Sequence, residues 1–451
     1  MGMIVHRVGT AAQYAAIIEK DPDVLYWVED QQRMYKGDVL YATGAEATSL
    51  LSGLMSSSDK IKLGKMRGGY SIPQRIRDHL FHIRYETYDY EDGYRFMERY
   101  RPRGACSVLR KGPLVGRNMD WMYTDAANFV VETKACNGRH ATIGCALAGE
   151  NLSNEAAESG VELEEYKYLP FIVNDVVNDC GVYASMNIVY PGDRGYTLGT
   201  LPGAQKLCQL MIPRFVADYA DSARDALTLL SGMDIYAPLN GMSEECHILV
   251  CDEADSYIIE FIDNVMTIYS DTDPRYPVFP HNACMMTNFY LSGWNSEFKM
   301  VYAGNTAEEV AQTGINPHAM GIERYKLLID QYDAIDSVDG VCRAMESVKY
   351  LKSYDLTLDP YWYSEFTGYT DTFGDLTVYS TAADYTGIID YTQEAYRKFK
   401  RDGSIWITAH TSVYDLGARK LYVYVEEDYG HRFEFRLPVI GVSEDSVWES
   451  I

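Results

Sequence analysis

The stretch Cys106-Ser-Val-Leu-Arg-Lys-Gly-Pro-Leu-Val-Gly-Arg117-Asn118-Met-Asp120-Trp121 decides the fold of this chain. A cysteine followed one strand length later by Gly-Arg-Asn-x-Asp is typical of two strands joined in a β-hairpin. The first strand carries the cysteine at its start, and the second brings Arg117 and Asp120 back beside it. A thiol, a cation and a carboxylate on one hairpin indicate a site for nucleophilic catalysis.

Composition excludes several classes of partner. The chain has 451 residues, of which 47% are hydrophobic, so two or three domains with a sizeable core are expected. Its net charge of -25 repels nucleic-acid backbones and anionic membranes, and no nucleic acid is expected as a partner. We expect no membrane span, because no apolar run approaches about 18 residues. The N-terminus lacks a signal-peptide core, so the chain is expected in the cytoplasm on synthesis.

The cysteine pattern favours buried thiols over metal ligands. Nine cysteines without a secretory signal are expected to be mostly reduced. Cys246-His247 and Cys251 fit no standard zinc spacing, and ordinary strand packing is the expected role. Neither a metal ion nor a cofactor is predicted.

Three regions are predicted along the chain. Residues 1–66 contain two short strands around a polar turn in Val24–Asp38, and a short helix capped by Ser56 or Ser57. Such a small unit buries little surface alone, so docking or homo-oligomer formation is expected. Residues 67–105 are predicted to be a connector or propeptide. Ser71-Ile-Pro73 predicts a helix start there, followed by an apolar stripe through residues 76, 80 and 83.

Residues 106–451 are predicted to form one large α+β domain, because predicted strands are followed along the chain by predicted helices and then by further strands. That order fits two antiparallel sheets with helices outside. Strands are predicted at 106–117, 129–133, 141–148, 171–177, 182–189, 247–251, 257–261, 284–287, 404–409, 420–425 and 432–437, and helices around 207–219, 325–329 and 341–348.

A cysteine at a chain N-terminus carries its own base. An α-amine titrates near ~7.7–8.0, so it can take the thiol proton and return it to a leaving amine. No catalytic histidine is needed, and the nine histidines show no obvious pairing.

The order of polar motifs after Cys106 resembles the choloylglycine hydrolase and penicillin V acylase family of N-terminal-nucleophile amidohydrolases. The matching segments are Cys106, Arg117-Asn118-Met-Asp120, Asn178-Asp-Cys-Gly181, Thr287-Asn288 and Arg324-Tyr325. The resemblance implies a four-layer αββα sandwich of two antiparallel sheets, preceded here by a small N-terminal extension. The usual proline after the Thr-Asn pair is missing, which leaves the following loop undefined.

The resemblance also implies the site residues. Cys106 is the expected nucleophile. Arg117 is expected to lower its pKa, and Asp120 to accept a hydrogen bond from its amine. Asn288 is expected to donate to the oxyanion, with Arg324 completing the cluster. Asn187 and Ile188 compete for a further oxyanion-hole role, because the spacing to Asn187 is one residue short. His410-Thr411-Ser412 is expected to be structural support.

The expected activity is hydrolysis of a linear non-peptide amide in a small molecule, of the acyl-amino acid, bile-salt or penicillin V type. It would proceed through a Cys106 thioester, after self-cleavage of the Ala105–Cys106 bond. Acyl transfer to another amine remains open. Two segments, Val24–Asp38 and Ser52–Leu63, resemble phage tail-fibre and baseplate modules. They support an alternative, an unprocessed virion structural or receptor-binding protein with other virion proteins as partners.

Overall fold

The computed structural model describes residues 5–8, 11–16, 25–28, 31, 33–36, 38–43, 69–97, 100, 105–121, 126–148, 152–161, 163–189, 204–236, 245–262, 265–271, 285–291, 322–349, 372–373, 376–377, 407–439 and 449–450. The chain divides into two compact units, Met1–Arg67 and Gly68–Ile451. The predicted domain roles are untested by this division and stay predictions.

The strands, in chain order, are β1 (Val5–Val8), β2 (Leu25–Val28), β3 (Arg33–Lys36), β4 (Val39–Thr43), β5 (Gln74–Arg77), β6 (Leu80–Tyr85), β7 (Ala105–Lys111), β8 (Leu114–Trp121), β9 (Asn128–Thr133), β10 (Thr142–Leu147), β11 (Val173–Asn178), β12 (Tyr183–Val189), β13 (Gln205–Cys208), β14 (Met233–Tyr236), β15 (Glu245–Cys251), β16 (Ser256–Ile262), β17 (Val265–Ser270), β18 (Met285–Met286), β19 (Thr372–Phe373), β20 (Leu376–Thr377), β21 (Ile407–Asp415), β22 (Lys420–Val425), β23 (Phe433–Arg436) and β24 (Glu449–Ser450).

The α-helices are α1 (Ala11–Ala16), α2 (Tyr90–Met97), α3 (Asn154–Glu158), α4 (Ile212–Tyr219), α5 (Ala223–Ser231), α6 (Ile322–Tyr332) and α7 (Val338–Ser347). Two 3-10 helices span Glu164–Phe171 and Gln209–Met211. Among the residues described, no helix is long and apolar enough to cross a membrane.

The first unit contains one small sheet in the order β1-β2-β3-β4. Strands β2 and β3 pair antiparallel, which confirms the two strands predicted within Val24–Asp38. The ring of Tyr14 on α1 stacks on Tyr35 of β3, so the helix packs against the sheet. The segment Ser52–Leu63 lies outside the described residues.

Two large sheets build the second unit. The nine-stranded sheet has the order β17-β16-β15-β12-β11-β10-β9-β6-β5, and the seven-stranded sheet has the order β18-β7-β8-β21-β22-β23-β24. Strands β7 and β8 form the predicted antiparallel hairpin. Strand β6, which lies outside the predicted domain 106–451, runs parallel to β9, so the nine-stranded sheet as a whole is mixed. The fold is α+β with several sheets, and the four-layer sandwich stays a prediction.

The prediction of a helix after Pro73 is wrong, because the residues that follow form strands β5 and β6. Strand β6 reads Leu-Phe-His-Ile-Arg-Tyr, and its pairing with β9 places Leu80 and Ile83 in the core. Sheet pairing and burial therefore outweigh a helix-start signal that depended on local sequence. The residues before Cys106 thus contribute two strands to the sheet.

Hydrophobic contacts join both sheets to the helices. One buried cluster takes side chains from the seven-stranded sheet (Val108), the nine-stranded sheet (Val130), α6 (Leu328) and α7 (Val341). Another cluster places Phe215 and Val216 of α4 against the nine-stranded sheet. The hairpin that carries Cys106 is consequently enclosed by packed elements.

Candidate active site

The β7–β8 hairpin sends its polar side chains to two different faces. Cys106 pairs with Met119 and Val108 pairs with Arg117, so strand alternation puts Cys106 and Arg117 on one face. This face meets the nine-stranded sheet, where Arg117 Nη2 donates to the carbonyl oxygen of Met186 on β12 at 3.1 Å. Ser107 and Asp120 occupy the opposite face, toward α6. The nucleophile candidate and the carboxylate are thus on opposite sides of the hairpin.

Arg117 contacts the thiol directly. Its Nη2 lies 3.0 Å from Cys106 Sγ, and both side chains are buried. Burial raises the pKa of the Cys106 thiol above its ordinary value, although the charge of Arg117 acts in the opposite direction. The charge of Arg117 thus lowers this pKa as expected, but in the intact chain removal of the thiolate from water outweighs the attraction to the guanidinium.

Arg324 ties the backbone of Cys106 to three polar side chains. It is the third residue of α6 and is fully buried. Its Nη1 donates to Cys106 O at 2.8 Å, to Ser107 Oγ at 2.8 Å and to Asp120 Oδ2 at 2.9 Å. Its Nη2 donates to Asn288 Oδ1 at 2.7 Å. This planar fork fixes the carboxylate, the amide and the cysteine carbonyl relative to one another.

Asp120 is held from two directions. Arg324 binds one carboxylate oxygen, and Thr408 Oγ1 of β21 donates to the other at 2.6 Å. Burial nevertheless raises the pKa of Asp120 to about 6, because desolvation exceeds the stabilisation that Arg324 and Thr408 give the charged form. Thr408 was not singled out in the sequence, since one threonine in a strand gives no signal of a partner far away in the chain.

The bond expected between a free Cys106 amine and Asp120 stays a prediction, and in the intact chain the backbone N–H of Cys106 has another partner. It donates to Asn288 Oδ1 at 3.0 Å, whereas Asp120 is engaged by Arg324 and Thr408. The orientation of the Asn288 amide is set by its neighbours, because Oδ1 receives two donors and Nδ2 donates to Ile188 O at 2.6 Å. In the intact chain Asn288 therefore holds the nitrogen of the cysteine through Oδ1. Its Nδ2 uses one of two N–H groups on Ile188 O, and its donation to an oxyanion stays a prediction.

Asn187 fixes the segment that carries Asn288. Its Nδ2 donates to the carbonyl oxygens of Met286 and Thr287, each at 3.1 Å. His247, which faces Asn187 across the β12–β15 pair, also bonds Thr287 O, at 2.8 Å. The structure thus brings all six expected residues into one buried cluster, and their catalytic roles stay predictions: Cys106, Arg117, Asp120, Asn187, Asn288 and Arg324.

A second buried carboxylate lies behind Arg117. Asp175 of β11 accepts a hydrogen bond from Ser412 of β21, which joins the two sheets, and its charge raises the pKa of Arg117. His410 Nε2 lies 4.0 Å from Asp175 Oδ1, and burial lowers the pKa of His410. The site therefore holds two buried arginines and two buried aspartates. Sequence reasoning missed Asp175, although an aspartate within Val-Asn-Asp-Val-Val is a charged residue in a core strand and could have been noticed.

Comparison with known proteins gives limited matches. The family model described as phage tail tip domain matches residues 7–29. No curated protein matches the chain. A mutant of conjugated bile acid hydrolase from Clostridium perfringens is 12% identical, with 77% of this chain and 92% of that chain covered and a TM-score of 0.42. Penicillin V acylase from Agrobacterium tumefaciens is 12% identical, with 77% and 86% covered and a TM-score of 0.38. The structural neighbours are thus a conjugated bile acid hydrolase and a penicillin V acylase.

Proposed function

We propose that this chain is a cysteine hydrolase of linear amides, in which Cys106 becomes the nucleophile after the Ala105–Cys106 bond is cut. The observation that supports this most strongly is the contact of Arg117 Nη2 with Cys106 Sγ at 3.0 Å, inside a buried cluster that also binds the nitrogen and oxygen of the same cysteine. A cysteine that only fills a core needs no such set of donors and acceptors.

Self-cleavage would begin with attack of the Cys106 thiol on the carbonyl carbon of Ala105. The C–N bond breaks, the acyl group moves to sulfur, and the nitrogen of Cys106 becomes a free amine. Water then hydrolyses the thioester and releases the carboxyl group of Ala105 and the thiol. Asn288 Oδ1 accepts from this nitrogen in the intact chain and would orient the new amine.

Turnover would use the same sulfur. The α-amine takes the thiol proton, and the thiolate attacks the amide carbonyl of the substrate. The amine then gives the proton to the leaving nitrogen, a thioester remains on Cys106, and water hydrolyses it. Arg117 stabilises negative charge at the sulfur, while Arg324 keeps the carbonyl oxygen of Cys106 and Asp120 in place.

The test is hydrolysis of a panel of N-acyl amino acids, a conjugated bile salt and penicillin V by the wild type and by Cys106→Ala. Cys136→Ala is the matched control, since Cys136 is a partly exposed thiol outside the cluster. We expect turnover by the wild type and the control, and an acyl adduct on Cys106 after acid quenching. Turnover that persists in Cys106→Ala, or its absence for the whole panel, would contradict the proposal.

A second candidate function is favoured by one observation, the match of the phage tail tip domain model to residues 7–29. In this alternative the protein is a virion component, associated with the particle through its N-terminal unit, and the hydrolase-like unit stays uncut. It predicts an intact chain and no thiol-dependent turnover.

A further inference from the structure

A cluster of possible metal ligands lies outside the candidate active site. It combines His140, in the loop between β9 and β10, with Cys180, in the turn after β11, and Asp221, between α4 and α5. His140 is mostly buried, Cys180 is partly exposed, and the Asp221 side chain is 83% exposed, so solvent reaches the cluster. No sequence motif indicates this cluster, because the three residues are far apart in the chain and follow no metal-binding spacing.

The distance between His140 and Asp221 fits a tetrahedral ion, and the two distances from Cys180 Sγ are slightly longer than such an ion needs. His140 Nε2 lies 3.3 Å from Asp221 Oδ1, and Cys180 Sγ lies 3.8 Å from Asp221 Oδ1 and 4.0 Å from His140 Nε2. With zinc bonds of about 2.0–2.3 Å, tetrahedral geometry separates such ligand atoms by about 3.3–3.6 Å. Cys180 Sγ is also 3.7 Å from His140 Nδ1, so the thiol lies over the ring. Binding requires the partly exposed Cys180 side chain to swing toward Nε2.

A neighbouring carboxylate already orients the imidazole. His140 Nδ1 lies 2.7 Å from Asp179 Oδ1, and Asp179 Oδ2 accepts from the N–H of Ala141 at 3.2 Å. Since a carboxylate accepts only, Nδ1 carries the proton, and Nε2 faces Asp221. The Nε2 lone pair of His140 and the carboxylate oxygen of Asp221 then lie 3.3 Å apart, a separation that two ligands of one cation can adopt. A histidine oriented by a carboxylate is the usual arrangement of a zinc ligand.

The scaffold of the cluster is fixed by bonds among the same segments. The N–H of His140 donates to Asp218 O at 2.9 Å, and the N–H of Asp179 donates to Ala141 O at 2.9 Å. The surrounding charge favours a cation, because Asp179 and Asp221 are acidic and Asp225 accepts from the N–H of Asp221. The nearby cation is Arg419, whose Nη1 points to Asp179 O at 3.4 Å.

We propose that His140, Cys180 and Asp221 form a zinc site, with a water molecule or a further ligand in the fourth position. A thiolate, an imidazole and a carboxylate together suit Zn²⁺ better than the hard cations Mg²⁺ and Ca²⁺. Cys180 would bind as its thiolate, and its thiol proton would leave to solvent when the ion binds. The ion would join the β9–β10 loop, the turn after β11 and the α4–α5 linker on one side of the second unit.

The test uses Co²⁺ as a spectroscopic probe and Zn²⁺ as its competitor, on the full-length chain with Cys106→Ala to remove the active-site thiol. We expect one equivalent of Co²⁺ to give a thiolate-to-cobalt absorption band that Zn²⁺ abolishes. Cys180→Ser should remove the band. Asp179→Asn, which alters only the orienting carboxylate, should weaken binding by about 10- to 100-fold.

The matched control is Cys342→Ser, which removes a partly buried thiol elsewhere and should leave the band unchanged. His140→Gln should abolish Co²⁺ binding. If His140→Gln folds poorly, the Cys180→Ser and Asp179→Asn variants still test the proposal. A band that survives Cys180→Ser, or no band in the parent chain, would overturn the proposal and leave a proton shared between His140 and Asp221.

Discussion

Replacing Phe81 with alanine tests whether the segment before Cys106 belongs to the folded core of the second unit. Phe81 is 1% exposed and lies on β6 opposite Phe129 of β9, in the parallel register of the two strands. The two rings are stacked with centroids 5.5 Å apart and an interplanar angle of 29°. If this packing stabilises the unit, the residues before the proposed cleavage point remain bound after the chain is cut.

The structure sets the size of the effect. Removing a fully buried phenylalanine typically costs about 3–5 kcal/mol in the free energy of unfolding, part of it from the cavity that remains. The stacked ring pair accounts for roughly 0.5–1.5 kcal/mol of this. In a chain cut at Ala105–Cys106, the same loss would weaken the association of the two pieces by about 10²- to 4 × 10³-fold, at about 1.4 kcal/mol for each factor of ten.

The assay is urea unfolding followed by far-UV circular dichroism, in a Cys106→Ala background that keeps every molecule intact. Arg95→Ala is the control, because Arg95 on α2 is 73% exposed and its change should stay within about 0.5 kcal/mol. For the cut wild type, gel filtration should show both pieces eluting together. A Phe81→Ala effect no larger than that of the control, or free dissociation of the pieces, would refute this reasoning.

Three further predictions concern the hairpin and its partners. Gly116→Ala places a methyl group 2.5 Å from Val341 Cγ1 on α7, so calorimetry should show a loss of about 1–3 kcal/mol, and an unchanged Tm would contradict it. The pKa of Asp120, about 6 in the folded chain against an ordinary 3.8, means that the folded state keeps a proton which the unfolded state has lost. The contribution of Asp120 to the free energy of unfolding should therefore fall by about 3 kcal/mol as pH rises from about 4 to 6, and stay level above that. In Asp120→Asn, urea unfolding at a series of pH values should show no such fall in the free energy of unfolding. The same dependence on pH in the variant and the wild type would count against the prediction. Arg324→Lys should slow self-cleavage at least about tenfold in a mass-detected time course, because an ammonium does not reproduce the planar fork, and a normal rate would contradict that role.

Sequence motifs predicted the hairpin and the residues around Cys106 because each lies in a short, recognisable segment. The two strands of the hairpin are adjacent in the chain, and the pairing of Cys106 with Met119 follows directly from that. Asn288 and Arg324 could be named only through the order of motifs, since their contacts join distant parts of the chain.

Other features depend on pairing between distant segments and gave no local signal. The local sequence before β6 predicts the start of a helix. In the structure, six consecutive residues of β6 instead pair in parallel with β9, a strand that local sequence does not reveal as its neighbour. The two faces of the hairpin, the position of Thr408 and the bond from Ser412 to Asp175 also require the sheets to be assembled. Burial likewise decides the net direction of the pKa shift of Cys106, and its extent is known only once the sheets enclose the thiol.

The proposal that Cys106 becomes a chain N-terminus is tested most directly by the intact mass and the N-terminal residue of the purified protein, with Cys106→Ala alongside. The account predicts that the 51.1 kDa wild type yields a fragment that begins at Cys106 and spans 451 - 105 = 346 residues, while Cys106→Ala stays uncut. A wild type that remains a single 51.1 kDa chain, with the same N-terminus as the variant, would contradict self-cleavage and favour the virion-protein alternative.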